Sequence, residues 1–193
     1  MYKLFLFIIA FPLFVFNYSC SPTGILASGG ASTMVIAEGD KSLGETVDDA
    51  SIKIQISAKF LSHEENLFLD IETTVIQGRV LLTGIVDTQE LRIAAVKKVW
   101  EVEGVVEVIN EIEVGESVTL SEYSNDLWIS TQARGLAVKN LGLRGISYNF
   151  ETIRGKIYVA GITSKKEQLD TLIESIKKIK GVKEIVNYVV LTE

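Results

Sequence analysis

The sequence predicts an α+β protein in which one small domain occurs twice in tandem. Each copy is predicted to be an α-β-β-α-β unit with two helices packed on one face of a small sheet. Two observations support this fold class. A shift of the chain by 77 residues aligns its landmarks without a gap. Within each copy, helix-type and strand-type hydrophobic periods also alternate in the same order.

The aligned landmarks are mainly residues that set turns and helix ends. They are Asp49 and Asp126, Ile52 and Ile129, Gln55 and Gln132, Gly78 and Gly155, Gly84 and Gly161, Glu90 and Glu167, Gly104 and Gly181, and Asn110 and Asn187. Glycines that keep one spacing mark shared turns. We therefore expect one domain at residues 46–115 and a second at residues 125–193, joined by a linker at 116–124.

The first helix of each copy is predicted to begin at an Asp cap, because a carboxylate accepts hydrogen bonds from unpaired amides at a helix start. These caps would be Asp49 and Asp126. A hairpin follows each helix, with its turn at Gln77-Gly78 in the first copy and Arg154-Gly155 in the second.

Each copy then continues with a second helix and a last strand. The helices are predicted at 88–102 and 164–179, and the strands at 105–114 and 182–191, with one face in water. A three-stranded sheet this small is marginal alone, so the two copies should pack together.

The N-terminus is typical of an exported protein. Lys3 precedes thirteen uncharged, mostly apolar residues, which fit a signal peptide at 1–19 but are too few to cross a bilayer. Cys20 is the only cysteine and lies where cleavage is expected, as in bacterial lipoproteins whose cysteine is acylated. The alternative is an incidental thiol beside an ordinary cleavage site. Residues 20–45 are predicted to be a lipidated flexible tether, the alternative being a structured arm.

The repeated pattern resembles the BON-domain family. The resemblance is carried by the Asp of the first helix, the hairpin glycine, the strand ending in Gly, and the Gly-Val-x-x-Val-x-Asn that begins at Gly104. Residues 124–131 (SNDLWIST) resemble the second-domain helix of dual-BON outer-membrane lipoproteins. The resemblance implies no catalysis and no cofactor. It implies binding of anionic phospholipid, chiefly phosphatidylglycerol, through the second domain, a role in envelope integrity, and a position on the periplasmic face of the outer membrane. Without acylation of Cys20 the protein would be soluble in the periplasm.

The two copies carry opposite charge. Residues 48–115 hold 6 Lys and Arg against 13 Asp and Glu, a net of −7, whereas residues 126–193 hold 11 against 7, a net of +4. A cationic surface is attracted to an anionic leaflet, so the second copy is predicted to make the lipid contact. The alternative is that the charges of two solvated surfaces have drifted.

Trp128 gives this contact a position. Ser51 holds the equivalent place in the first copy, and because one deep core site cannot accept both volumes, Trp128 should lie outside the core. Tryptophan is favoured at membrane interfaces. The predicted lipid-binding residues on this helix are Leu127, Trp128, Thr131, Gln132, Arg134, Gly135 and Lys139. Packing of Trp128 against the first domain or the linker remains the alternative.

Other candidate sites are weaker. Lys177, Lys178, Lys180 and Lys183 are either a second lipid contact or a solvated helix end. Trp100 is predicted to lie in the core or between the domains. His63, the only histidine, lacks partners for a metal site, and export argues against nucleic acid. No small-molecule substrate is predicted. The rival function is an adaptor in which the Trp128 helix binds a protein, such as the outer-membrane β-barrel assembly machinery associated with the family.

Overall fold

Each copy forms a three-stranded sheet with its helices on one face in the computed structural model of the protein, which describes residues 43–63 and 65–192. The predicted fold class, a tandem α+β repeat, is confirmed. The signal peptide, Cys20 and most of the predicted tether lie outside the described residues.

The first copy follows the predicted order with one added helix. Its elements are α1 (Leu43–His63), α2 (Glu65–Asp70), β1 (Ile71–Ile76), β2 (Arg79–Val86), α3 (Gln89–Trp100) and β3 (Glu107–Val114). Strand β1 pairs antiparallel with β2, and β2 pairs parallel with β3, so β2 is the central strand. Helix α3 makes the crossover that a parallel pair requires.

The second copy repeats this topology. Its elements are α4 (Leu120–Leu141), a 3₁₀ helix (Gly142–Ser147), β4 (Asn149–Ile153), β5 (Lys156–Thr163), α5 (Lys166–Ile176) and β6 (Glu184–Leu191). The sheet order is β4-β5-β6, with β5 central.

The predicted Asp caps are wrong. Helix α4 begins at Leu120, because Thr119 and Glu122 form a reciprocal capping box in which each side chain bonds the other residue's backbone amide. Asp126 therefore lies inside the helix and is buried. Helix α1 likewise begins at Leu43, inside the predicted tether, and Asp49 is buried within it.

Both aspartates instead bind the hairpin turn of their own copy. The carboxylate of Asp126 accepts hydrogen bonds from the backbone N–H groups of Arg154 and Gly155, at 2.7 and 2.8 Å. Asp49 accepts from Gln77 and Gly78 at 3.0 and 2.9 Å. These two-residue turns need a positive φ at both positions, which orients both amides toward the helix. The first helix is thus tied to the hairpin in each copy.

Each copy has a core between its helices and one face of its sheet. In the second copy Ile129, Ala133 and Ala137 of α4 are buried against Ile157 and Val159 of β5. The first copy places Ile52, Ile56 and Phe60 in the same way. The prediction that two helices cover one face of each sheet is confirmed.

The opposite faces of the two sheets pack against each other. Leu81 and Ile85 of β2 meet Tyr158 and Ile162 of β5 in a third apolar cluster, as expected for two marginal domains. The face of β3 that was predicted to be wet is therefore partly covered, since Ile109 packs against this cluster.

Polar contacts surround this apolar interface. Glu111 of β3 accepts hydrogen bonds from Lys156 Nζ at 3.1 Å and from the Tyr188 hydroxyl at 2.5 Å. Burial would raise the pKa of Glu111, but these two bonds outweigh it and hold the pKa below its ordinary value. Burial, together with the bond to Glu111, raises the pKa of Tyr188 to about 12. The domain interface is therefore both apolar and specifically bonded.

Candidate functional site

Helix α4 carries large apolar side chains on its solvent-exposed surface. Trp128 is 61% exposed, and four further residues share this exposure: Leu120, Tyr123, Leu127 and Val138. A helix packed on a soluble domain normally carries polar residues on that face. Leu127 and Trp128 are among the predicted lipid-binding residues, whereas Leu120, Tyr123 and Val138 are not. At about 100° per residue, these three lie on the side of Leu127 and not on that of Trp128.

The predicted lipid-binding residues divide between two sides of α4. At about 100° per residue, Trp128, Gly135 and Lys139 follow one line along the helix. Gly135 and Lys139 are exposed, whereas Gln132, beside this line, is half-buried. Lys139 lies about 16 Å along the axis from Trp128, from the rise per residue. The structure thus groups Trp128 with small and polar neighbours on its own helix.

Leu127 and Arg134 lie on the other side of α4, facing the first copy. The Arg134 guanidinium donates to the backbone carbonyl of Phe150 at 2.9 Å, which holds it against β4. Thr131 is exposed between the two lines, and its hydroxyl donates to the carbonyl of Leu127 at 2.8 Å. Arg134 is therefore not beside Trp128.

The basic residues that approach the N-terminal half of α4 come from another segment. The turn at Gly181 packs on α4: a methyl group added there would lie 3.1 Å from Ile129 and 3.3 Å from Asn125. Lys178, Lys180 and Lys183 flank this turn, are exposed, and form no ion pair with any other described residue. Lys177, by contrast, pairs with Glu174.

The first copy shows which of these residues are neighbours. A shallow groove there is lined by Asp48, Ser51 and Glu103, together with the hairpin turn. A shift of 77 residues places Asn125, Trp128 and Lys180 at those positions. The 77-residue repeat pairs Lys180 with Glu103, so the sequence itself carries a signal that Lys180 is a neighbour of Trp128.

A cleft between the two domains opens beside α4. It has a volume of about 480 Å³, and we define it by Phe68, Leu69, Glu72, Tyr123, Leu127 and Glu151, with Arg134 also in its wall. Burial, and then the charge of Glu72, raise the pKa of Glu151 to about 7. No side-chain hydrogen bond and no ion pair joins the Glu151 carboxylate to any other described residue, although the charges of Arg134 and Lys53 offset part of the rise in its pKa. The cleft therefore holds a carboxylate without an ionic partner.

Neither a metal site nor a membrane-spanning helix is present in the described ranges 43–63 and 65–192. No group of three or more potential metal ligands comes together there. None of the helices in these ranges combines the length and the apolar character needed to cross a bilayer.

The comparison with protein families identifies the repeat. The family model of the BON domain matches residues 48–116 and again residues 125–193. The chain belongs to the BON-domain family. The resemblance seen in the sequence is confirmed, and the two BON domains are the two sheet-and-helix units described above.

Relatives of this BON-domain protein come from several bacteria. An uncharacterized protein in the gshII 5' region of Anaplasma centrale is 38% identical over 144 residues, which cover 74% of this chain and 94% of that protein. The 21 kDa hemolysin of Actinobacillus pleuropneumoniae is 28% identical over 154 residues, covering 77% and 78%. Outer membrane lipoprotein DolP of Haemophilus influenzae is 25% identical over 162 residues, covering 82% of each chain.

The other tryptophan of the chain is also exposed. Trp100, expected in the core or between the domains, is instead 53% exposed at the end of α3. Its helix packs through Ala95 and Val99, which leaves position 100 on the outer side. Each BON domain thus exposes one tryptophan, the first in an acidic domain and the second in a basic one.

Proposed function

We propose that this protein is a non-catalytic envelope lipoprotein whose second BON domain docks onto anionic phospholipid through α4. The observation that carries the proposal is the exposure of Trp128 on the basic domain. An indole exposed on a helix suits the headgroup region, where its ring enters the apolar boundary and its N–H stays near water.

Charge supports this orientation. Lys180 occupies the position of Glu103, which lines one groove with Ser51 in the first copy, and Lys178 and Lys183 flank the same turn. Each lysine near an anionic leaflet contributes about 1 kcal/mol. The first domain, with a net charge of −7 over residues 48–115, would be repelled by the same surface. Docking through α4 and the lysines that flank the turn at Gly181 therefore orients the first domain away from the headgroups.

Acylation of Cys20 would supply a permanent anchor. The similarity to outer membrane lipoprotein DolP supports an anchored envelope protein. With the acyl chains in the outer membrane, the weak and reversible docking of α4 would need only to orient the protein and to localise it where phosphatidylglycerol is abundant. By occupying membrane regions rich in phosphatidylglycerol, the protein would support membrane integrity without catalysing a reaction.

The test is sedimentation with vesicles. The chain carries Cys20→Ser so that acyl chains cannot mask docking by α4, and vesicles of phosphatidylglycerol are compared with vesicles of phosphatidylcholine. We expect retention by phosphatidylglycerol alone. Trp128→Ala should lower the affinity roughly tenfold or more, since insertion of about 100 Å² of indole contributes about 2 kcal/mol. Trp100→Ala is the matched control, because it removes a similarly exposed indole from the acidic domain.

The rival is an adaptor that binds the β-barrel assembly machinery through the same helix. Docking driven by lysines should weaken strongly between 0.1 M and 1 M salt, because the screening length falls from about 10 Å to about 3 Å. Equal retention by both vesicle types, or no effect of Trp128→Ala, would reject lipid docking. A complex that survives detergent removal of lipid would then favour the adaptor.

A further inference from the structure

We propose that the interdomain cleft beside α4 binds a short segment of a partner protein that carries a Lys or Arg flanked by aliphatic side chains. This inference does not depend on lipid docking, since its residues lie on the side of α4 that faces the first domain. It rests on the shape, the apolar mouth and the charge of the cleft.

The size of the cleft fits a peptide segment. About 480 Å³ is within the range of pockets that bind small ligands, and it accommodates a few side chains. Both domains contribute walls, α2 and β1 on one side and α4 and β4 on the other. A segment bound there would contact both BON domains at once.

The mouth of the cleft is apolar. Phe68 is 44% exposed and Leu69 is 66% exposed on the first domain, and they share the cleft with Tyr123 and Leu127 of the second domain. Positions 68 and 69 align with Gly145 and Ile146, in the 3₁₀ helix of the second copy, so the apolar helix α2 is a feature of the first domain only. Four large apolar side chains around one opening favour aliphatic or aromatic groups on the occupant. A bare small amine would leave them uncovered.

The interior of the cleft is acidic. Glu151 is partly buried, has no ionic partner among the described residues, and is close enough to Glu72 of the first domain for their charges to repel. The Glu72 carboxylate also forms an ion pair with Lys53 Nζ at 2.8 Å. Arg134 is the one cation among the cleft-lining residues that the structure describes, and it is bonded to a backbone carbonyl. An added ammonium or guanidinium group would relieve this repulsion.

Charge also decides against lipid as the occupant. The phosphate of an anionic phospholipid would meet the carboxylates of Glu72 and Glu151, and an acyl chain would offer no counter-charge to Glu151. A segment that combines a cationic group with aliphatic neighbours satisfies the interior and the mouth together. This is the combination that the cleft selects.

Binding is measured by fluorescence anisotropy with the full chain and a labelled peptide of alternating lysine and leucine. Two comparison peptides separate the contributions: one has glutamate in place of lysine, and the other has serine in place of leucine. We expect only the lysine-leucine peptide to bind appreciably. Failure of this peptide to bind, or equal binding of the lysine-serine peptide, would overturn the proposal.

Three variants locate the binding. Glu151→Gln should weaken binding about tenfold through loss of the charge, and Phe68→Ser should weaken it through loss of the apolar mouth. Glu167→Gln is the matched control, because it removes one exposed carboxylate from α5, outside the cleft. If Glu151→Gln and Glu167→Gln weaken binding equally, the attraction is diffuse and the cleft is not the site.

Vesicle sedimentation of the same variants keeps the two proposals separate. Glu151→Gln and Phe68→Ser should dock on phosphatidylglycerol like the unaltered chain, and Trp128→Ala should bind the peptide normally. If the peptide binds in the cleft but the protein does not sediment with vesicles, the cleft proposal is supported and lipid docking is rejected. Thermal unfolding of Phe68→Ser checks that its loss of binding is not a loss of fold.

Discussion

Replacement of Glu151 by Gln should stabilise the protein at neutral pH. Burial, followed by repulsion from Glu72, raises the pKa of Glu151 from 4.5 to about 7, so the folded state resists its ionisation. At 1.36 kcal/mol per unit, this shift corresponds to roughly 3 kcal/mol of unfolding free energy. Glutamine keeps the shape of the side chain and carries no charge, so it avoids the penalty.

The sign of the effect follows from proton linkage. The folded protein binds the Glu151 proton more tightly than the unfolded chain, so this residue contributes full stability below pH 4.5. That contribution is lost as the pH rises toward about 7 and stays lost above it. The stability of the natural chain should therefore fall across this window relative to that of Glu151→Gln.

Urea unfolding at a series of pH values from 4 to 8 measures this difference, and subtraction of the two curves removes the titration of all other groups. The difference should be near zero at pH 4 and reach roughly 3 kcal/mol by pH 8. Glu72→Gln should lower the pKa of Glu151 and so reduce the loss of stability with rising pH, because it removes the repulsion across the cleft. A pH-independent difference, or a less stable Glu151→Gln at pH 8, would refute the assignment of a buried, unpaired carboxylate.

Four further substitutions test the fold that positions the site. Asp126→Asn should lower the free energy of unfolding in urea by roughly 2 kcal/mol, because two turn amides lose a charged acceptor. An unchanged urea midpoint would show that the hydrogen bonds between this helix and the hairpin are dispensable. Gly84→Ala should destabilise severely, since its methyl group would lie 2.1 Å from a backbone oxygen at a positive φ, whereas Gly135→Ala, with open space around it, should be neutral or stabilising. Tyr188→Phe should lower the melting temperature through loss of about 1–2 kcal/mol of bonding to Glu111, and equal melting of both proteins would argue against that contact.

The sequence predicted the features of the fold that depend on local chemistry and on repetition. The hairpin turns at Gly78 and Gly155 were predictable because a two-residue turn requires positive φ, and the positions recur at one spacing. The role of Asp126 was not, because a carboxylate near a helix start is equally consistent with a cap and with a partner further along the chain. Only the position of the hairpin decides between them, and that position depends on the tertiary packing.

Only part of the candidate site was predictable from the sequence, because the rest depends on tertiary packing. The exposure of Trp128 followed from its alignment with Ser51, since the two side chains cannot fill one core position. The lysines near it are more than 45 residues away in the chain, and their approach depends on the packing of the turn at Gly181 against α4. Arg134, close to Trp128 in sequence, points instead to β4.

Three of the differences between the two domains fall at one groove and change its charge and its shape together. Three residues that line one groove in the first domain, Asp48, Ser51 and Glu103, are replaced by Asn125, Trp128 and Lys180. Two of these changes remove a negative charge and the third adds an indole, so all three favour contact with an anionic surface. Meanwhile the buried isoleucines at the same helix position, Ile52 and Ile129, are unchanged. The groove thus keeps its position on the first helix but loses two acidic residues in the second domain, even though the whole protein carries a net charge of −6.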